Sequence, residues 1–335
     1  MTGETLRPLS PDDLEAVIAI DRSLSATARR GFFESRLQAA LETPADHVHV
    51  GLEARGALAG FALARLVGGE FGKPGGRAVL DAIGVDPACQ HEGAGHALID
   101  AVKAVLRRKR VSVLESQVGW SDRALLGFFG DTGFALAPRM VLVGDSAALA
   151  RNFAPEEPGA GGDAPASGIM PGDGADFSSP LGDAPGALAL EPIPVRAMDG
   201  GDLDRITRID RHLSGRDRRP YLQRKLREML RRGGVRLSLV AELDGLPVGF
   251  VMARLDYGDF GLAAPEAVLD TLGVHPDFQG QGVGRALMAQ LLSHLGGLQV
   301  GGLRSEIAWN DIPLIAFLSG AGLVPGQRVA LDARL

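Results

Sequence analysis

The sequence predicts an α/β protein built from two tandem units, each a mixed sheet flanked by helices. Three observations carry that prediction. The chain has 335 residues and is 45% hydrophobic, which suits about two domains with their own cores at roughly 150 residues each. A stretch beginning at Leu80 returns at Leu269, with 10 identities in 21 positions. In each copy the apolar spacing passes from helical to alternating, giving helices, a hairpin, then strand–helix–strand–helix–strand, the order of a sheet with helices packed on it.

The repeat keeps one register, an offset of 189, far from its best-matching segment. Arg7/Arg196, Leu14/Leu203, Asp21/Asp210, Ser25/Ser214, Phe61/Phe250, Phe71/Phe260, Trp120/Trp309, Asp122/Asp311, Phe128/Phe317 and Gly133/Gly322 all match at that offset. Chance does not hold a register over so many residues, so the chain is a tandem duplication. The units are assigned to residues 4–144 and 193–335, with a linker at 145–192.

Within one unit, Ser10-Pro11-Asp12-Asp13 reads as an N-cap, a proline at the first helical position and an acid three residues after the cap. Leu14, Val17 and Ile18 follow at helical spacing. A second helix is expected over 32–41 and its copy 221–230. A hairpin joins strands 238–243 and 247–255 through Asp244-Gly245. Residues 267–274 read as a strand and 284–295 as a helix with Leu287, Met288, Leu291, Leu292 and Leu295 on one face. Strand 303–309, helix 312–319 and a last strand at 328–331 complete the unit.

The linker explains the charge. Residues 155–187 include 23 Gly, Pro, Ala or Ser, with four Asp, two Glu and no Lys or Arg. That net of −6 is the net of the whole chain, so the acidic pI says nothing about a binding face. Such a composition cannot bury enough surface to offset ordering, and it reads as a flexible tether. The single cysteine, Cys89, excludes a disulfide framework or a cysteine-rich metal site. Seven scattered histidines give no metal-binding spacing. No long apolar run or leader-like start is present, so the chain reads as soluble and cytoplasmic, without a membrane partner. Residues 201–236 carry 12 Arg or Lys against 5 Asp or Glu. We read them as a solvated helix face rather than a nucleic-acid surface, because no aromatic stacking platform accompanies them. Trp120 and Trp309 are read as core residues.

The chemistry is expected at a strand-to-helix junction. Gln279-Gly280-Gln281-Gly282-Val283-Gly284-Arg285 follows a strand and opens a helix. Glycines there admit a tight turn and close approach of N–H groups, and the helix N-terminus adds partial positive charge, which together suit phosphate oxygens. The Lys-Ser/Thr of a P-loop is absent, as are the glycine spacing and acidic residue of a dinucleotide fingerprint.

These residues resemble the acyl-CoA-binding motif of the GCN5-related N-acetyltransferases: Q-x-x-G-x-G and then Arg or His-Ala-Leu, after a strand ending Gly-Val-x-Pro. Trp309-Asn310-Asp311, Phe317-Leu318 and Gly322-Leu323 are similar to that family's closing helix and strand. The resemblance occurs once per unit and implies two tandem acyl-CoA N-acyltransferase domains, each with a mostly antiparallel mixed sheet. It implies acetyl-CoA as cosubstrate, with Leu272 and Val274 on the pantetheine arm and Gln279–Arg285 on the pyrophosphate. It implies Ile83, Val85, Gln90, Gly93 and Gly95 in the same roles in the first unit. It further implies direct attack of an amine on the thioester, with the oxyanion held by a backbone N–H near Val274. The acceptor, a small molecule or a protein lysine, is not specified, and a non-catalytic acyl-CoA-binding regulator is the alternative.

Two departures matter. The tyrosine acid often found before the closing Gly-Phe is replaced by Phe317 and Leu318, and by Phe128 and Phe129 in the first unit. Asp270, with its copy Asp81, and Glu306, whose copy is Gln117, are the candidate bases. Burial is expected to raise the carboxyl pKa of Asp270 and suit it to neutral pH. The first unit has His91, Glu92 and His96 where the second has Gly280, Gln281 and Arg285. A carboxylate beside a pyrophosphate weakens binding, and histidine is ordinarily neutral where arginine is charged. The second unit is therefore the expected catalytic one.

Overall fold

Each unit opens on a short edge strand followed by a capped helix, and one arginine ties the two together. Arg7, on β1 (Glu4–Pro8), donates to both oxygens of Asp13 at 2.8 Å and to Glu53 at 3.1 Å. Asp13 closes a capping box with Ser10 ahead of α1 (Leu14–Ser25). Arg196, on β8 (Val195–Ala197), repeats this with Asp202 and Glu242, ahead of α6 (Leu203–Ser214). The computed structural model describes residues 4–25, 29–67, 76–153, 193–231, 237–256 and 265–335. Phe71, Phe260 and the tether at 155–187 lie outside them.

The first unit continues through α2 (Arg30–Glu42), β2 (His47–Ala54), β3 (Ala57–Val67), β4 (Arg77–Val85), α3 (Ala94–Arg108), β5 (Val113–Gly119), α4 (Arg123–Asp131), β6 (Ala135–Leu136), β7 (Arg139–Asp145) and α5 (Ser146–Arg151). The second continues through α7 (Arg219–Arg231), β9 (Leu239–Leu243), β10 (Leu246–Asp256), β11 (Glu266–Val274), α8 (Val283–Gly297), β12 (Gly302–Ala308), α9 (Ile312–Gly320), β13 (Val324–Pro325) and β14 (Arg328–Arg334). The expected hairpin turn is present: Asp244 (φ 51°) and Gly245 (φ 73°) take the left-handed conformations of a two-residue connection. The helices cover both faces of each sheet. In the second unit Leu287, Met288, Leu291, Leu292 and Leu295 of α8 are buried on one face, while Ile206, Ile209 and Leu222 of α6 and α7 are buried on the other.

The two sheets exchange their last strands. One runs β1-β2-β3-β4-β5-β14-β6 and the other β13-β7-β12-β11-β10-β9-β8. Thus β7, from the first unit, is antiparallel to β12 from Asp145–Gly302 to Arg139–Ala308, and β14 does the same on β5 from Arg328–Gly119 to Arg334–Val113. Polar groups cross between the sheets there: Arg139 pairs with Asp332 at 2.6 Å and Gln117 donates to Glu306 at 2.5 Å. Within the sheets Arg139 also pairs with Glu306 at 2.5 Å, Arg304 with Asp256 at 2.9 Å, and Arg77 reaches Glu115 and Asp332.

Three expectations are corrected. Residues 145–153, assigned to the linker, form the N-cap and helix α5 and pack on the second unit, with Leu149 2% exposed in its core. Leucine and alanine at helical spacing after an Asp cap outweigh the loop-like composition that starts only at 155. Trp120 and Trp309 are 60% and 54% exposed rather than buried. They stand just past the ends of β5 and β12, and their N–H groups donate to Gln327 and Pro138 on the crossing chain. The third, on the basic segment, is corrected only in part: Arg208, Arg211, Arg216, Arg219 and Arg227 are exposed, as on a solvated helix face, whereas Arg218 and Lys225 are covered and held by Asp210 and Asp270.

Candidate functional site

A bulge and a divergence of strands shape the site. In β11 the pairing with β10 runs Met252–Thr271 and then Ala253–Leu269, which leaves Asp270 as the extra residue. The same bulge sits at Asp81 in β4. A bulge turns two successive side chains to one face. Accordingly Asp270 and Thr271 both meet α7, through Lys225 at 2.8 Å and Tyr221 at 3.2 Å. Parallel pairing of β11 to β12 ends at Leu269–Ser305, and beyond it the strands separate. The wedge that opens is a cleft of about 650 Å³, lined by Thr271–Val274, the turn before α8, and Pro313, Leu314 and Phe317 of α9.

The turn is built as the motif implies. Gly280 (φ 74°) and Gly282 (φ 84°) are left-handed, and a side chain added at Gly280 would point into open space. The Gln279 amide donates to the Val274 carbonyl at 3.1 Å and pins the turn to the end of β11. Leu272, Val274, Gln279, Gly280, Gly282, Val283, Gly284 and Arg285 all line the cleft. Gln281 instead donates to the Asp277 carbonyl at 2.9 Å. Gly284 lies against the Phe317 ring, which an added Cβ would approach to 3.2 Å. The residues present fit a diphosphate: a glycine turn with room in front of it, a 15-residue helix starting there and one arginine on the rim.

In the first unit the parallel pairing ends at Val79–Glu115, so Ile83 and Val85 lie on the stretch of β4 beyond it. Gln90 donates to the Val85 carbonyl at 3.1 Å, as its copy does. Gly93 (φ 89°) caps α3, and Gly95 lies against Phe128. The position of Gly280 is held by His91, left-handed at φ 66° without being glycine. His96, the copy of Arg285, packs on the Phe128 ring at 5.6 Å.

The structure does not bring the two candidate bases into the cleft. Asp270 is 4% exposed and clamped between Lys225 and Arg254, the latter at 3.6 Å. Burial alone would raise its carboxyl pKa; the two cations reverse that and hold it below the ordinary value. The expected upward shift is therefore corrected. Glu306 sits at the exchange between the sheets, accepting from Arg139 and from Gln117 at 2.5 Å each. The Glu306/Gln117 difference is thus one hydrogen bond, with the two copies as its partners.

Sequence reasoning passed over a hydroxyl pair. Tyr221 and Thr271 bond at 3.2 Å, both at least 95% buried, with Thr271 on the cleft wall. The first unit has Phe32 and Ala82 at these positions. The substitution of hydroxyls for apolar groups was visible at the offset of 189. Three other polar groups line the far mouth of the cleft near α6: Asp210, which accepts from Arg218 through both oxygens, and Ser214.

Comparison with known proteins agrees with this geometry. The model of the acetyltransferase (GNAT) family matches twice, at residues 17–134 and 203–321. No curated protein sequence matches the chain. Among solved structures, a tandem GNAT protein from the clavulanic acid biosynthesis pathway superposes with a TM-score of 0.62 at 16% identity, covering 99% of this chain and 98% of that one. A GCN5-related N-acetyltransferase from Sphaerobacter thermophilus gives 0.58 at 15% identity, covering 99% and 95%. A glucosamine N-acetyltransferase region of a fungal multi-domain β-N-acetylglucosaminidase gives 0.62 at 14%, covering 98% of this chain and 38% of that one. The chain belongs to the GNAT acetyltransferase family and carries that family's domain twice.

Proposed function

We propose that the chain transfers an acetyl or short acyl group from acyl-CoA to an amine, by direct attack while both are bound, at the cleft of the second unit. The observation that carries this reading is the continuous lining from the bulge of β11 to the open glycine turn and Arg285. In this reading Leu272 and Val274 offer main-chain groups to the pantetheine amides, as a neighbouring strand would. The N–H groups that open α8, with Arg285, hold the diphosphate. Acyl-CoA, when bound, supplies an activated carbonyl and a thiol leaving group.

The chain's own residues do the rest. The Thr271 hydroxyl, hydrogen-bonded to Tyr221 and on the cleft wall, is the group that would donate a hydrogen bond to the reacting carbonyl. The lining carboxylates are engaged, Asp210 with Arg218 and Asp311 as the cap of α9 at 3.3 Å from the Leu314 N–H. The reading therefore has the acceptor enter as the free amine, its proton passing to solvent, and it leaves Asp270 and Glu306 with structural work. The test is CoA release over a panel of amino sugars, diamines and lysine peptides. For an accepted amine, kcat/KM should rise tenfold per pH unit up to the amine's own pKa. Acetyl-CoA binding with no amine accepted would favour the non-catalytic regulator; transfer to lysine peptides alone would favour a protein lysine acetyltransferase.

A further inference from the structure

The rim arginine of the second unit is held by the first. The Arg285 guanidinium donates to the Asn152 carbonyl at 2.6 Å and lies over the Phe153 ring at 4.9 Å. Both residues follow α5, which reaches the second unit because β7 has crossed into its sheet. The segment is firmly docked. Ser146 bonds the Val300 carbonyl, Leu149 is 2% exposed, and the Asn152 side chain donates to the Ala321 carbonyl at 3.2 Å. Gly322 has φ 101°, and the Asn152 amide sits where a Cβ would project, so a side chain at 322 would push the segment off.

From this geometry we infer that Asn152 and Phe153 are positioning residues of the acyl-CoA phosphate site, so that the site is completed by both units. The inference rests on the proposed role of the cleft. A free arginine spreads over many rotamers, and fixing it is a cost of binding. A carbonyl on the guanidinium and a ring beneath it remove that cost before the phosphates arrive, leaving other N–H donors of the fork for the ligand. In the first unit His96 packs on Phe128 of its own α4 instead.

The test is a double-mutant cycle on the full chain, read as the Kd for acetyl-CoA and its dependence on salt. Arg285→Ala should weaken binding about tenfold, the scale of a charged hydrogen bond, and lower the salt slope. Phe153→Ala should weaken it about fivefold and lower the slope likewise, a change that loosened packing alone would not produce. The double variant should bind about as Arg285→Ala does. Phe153→Tyr should restore binding, and Asn152→Ala, which removes only the Ala321 anchor, should cost about twofold. Thermal melts of each variant show whether the fold is intact. If Arg285→Ala weakens binding and Phe153→Ala leaves Kd and slope unchanged, or if the two effects multiply, the inference fails alone. If the unaltered chain does not bind acetyl-CoA, the functional reading fails and takes the inference with it.

Discussion

The two units carry the same charge clamps at the same positions. Arg36 and Arg65 hold Asp81 in the first; Lys225 and Arg254 hold Asp270 in the second. Arg29–Asp21 and Arg218–Asp210 are copies, as are the Arg7 and Arg196 networks. Several of the many differences fall at the cleft or just behind it: His91 and His96 against Gly280 and Arg285, Ala82 against Thr271, and Phe32 against Tyr221, which backs Thr271. Charges that hold the bulge and the first helices were kept in both units. At the cleft, by contrast, only the second unit carries a glycine at the position of Gly280 in the open turn and an arginine on the rim.

The largest effect expected concerns the exchange. Cutting the chain at a protease site inserted within 155–187 should leave two fragments that elute together at nanomolar concentration, because each completes the other's sheet over a whole strand. Independent elution would break the account of paired units. The exchanged strands can then be set against each other. Arg139 and Arg328 share a position, yet Arg139 pairs with Glu306 and Asp332, while Arg328 donates to the Gln117 carbonyl and has its pKa pushed down to about 10 by burial and by Arg304. Arg139→Ala should cost about 3 kcal/mol in denaturant unfolding, since it takes from the half-buried Glu306 its cation and leaves Asp332 with Arg77 alone. Arg328→Met should cost about 1 kcal/mol or less, and equal costs would remove the asymmetry.

Acid should separate the units next. Burial pushes His49 down to about 3, whereas its copy is Ser238. The folded state keeps His49 neutral and the unfolded state protonates it below about 6.5, so stability present above that pH is lost as pH falls toward 3. About 2 kcal/mol should go between pH 6.5 and 5, and His49→Gln should flatten that slope. A slope identical in the variant would show that His49 is not the group responsible. The smallest effect is at the hydroxyl pair. Thr271→Val should lower kcat about tenfold, as loss of one hydrogen bond does, without changing the Kd for acetyl-CoA. A change in Kd alone would move Thr271 from the reacting end to the binding surface.

Much of this was legible in the sequence. The register of 189, the hairpin at Asp244-Gly245 and the glycine turn each rest on local backbone chemistry, which the sequence carries directly. The strand exchange was not legible, because β7 and β14 are copies and fit either sheet equally; only the connections decide which one each joins. Asp270 misled for a different reason. Alternation along β11 cannot foresee a bulge that turns Asp270 and Thr271 to the same helix, nor that a lysine from α7 would meet the carboxylate. The reach of Asn152 and Phe153 to Arg285 depends on that same crossing and has no signature of its own.

The central claim is one acyl-CoA site, in the second unit. Its most direct test is calorimetric titration of the full chain with acetyl-CoA, alone and with Gly282→Glu or Gly93→Glu. The account predicts one molecule bound per chain, about a hundredfold weaker binding or none with Gly282→Glu, where a carboxylate meets the phosphates, and unchanged binding with Gly93→Glu. Two equivalent sites, or binding that survives Gly282→Glu and is lost with Gly93→Glu, would contradict it.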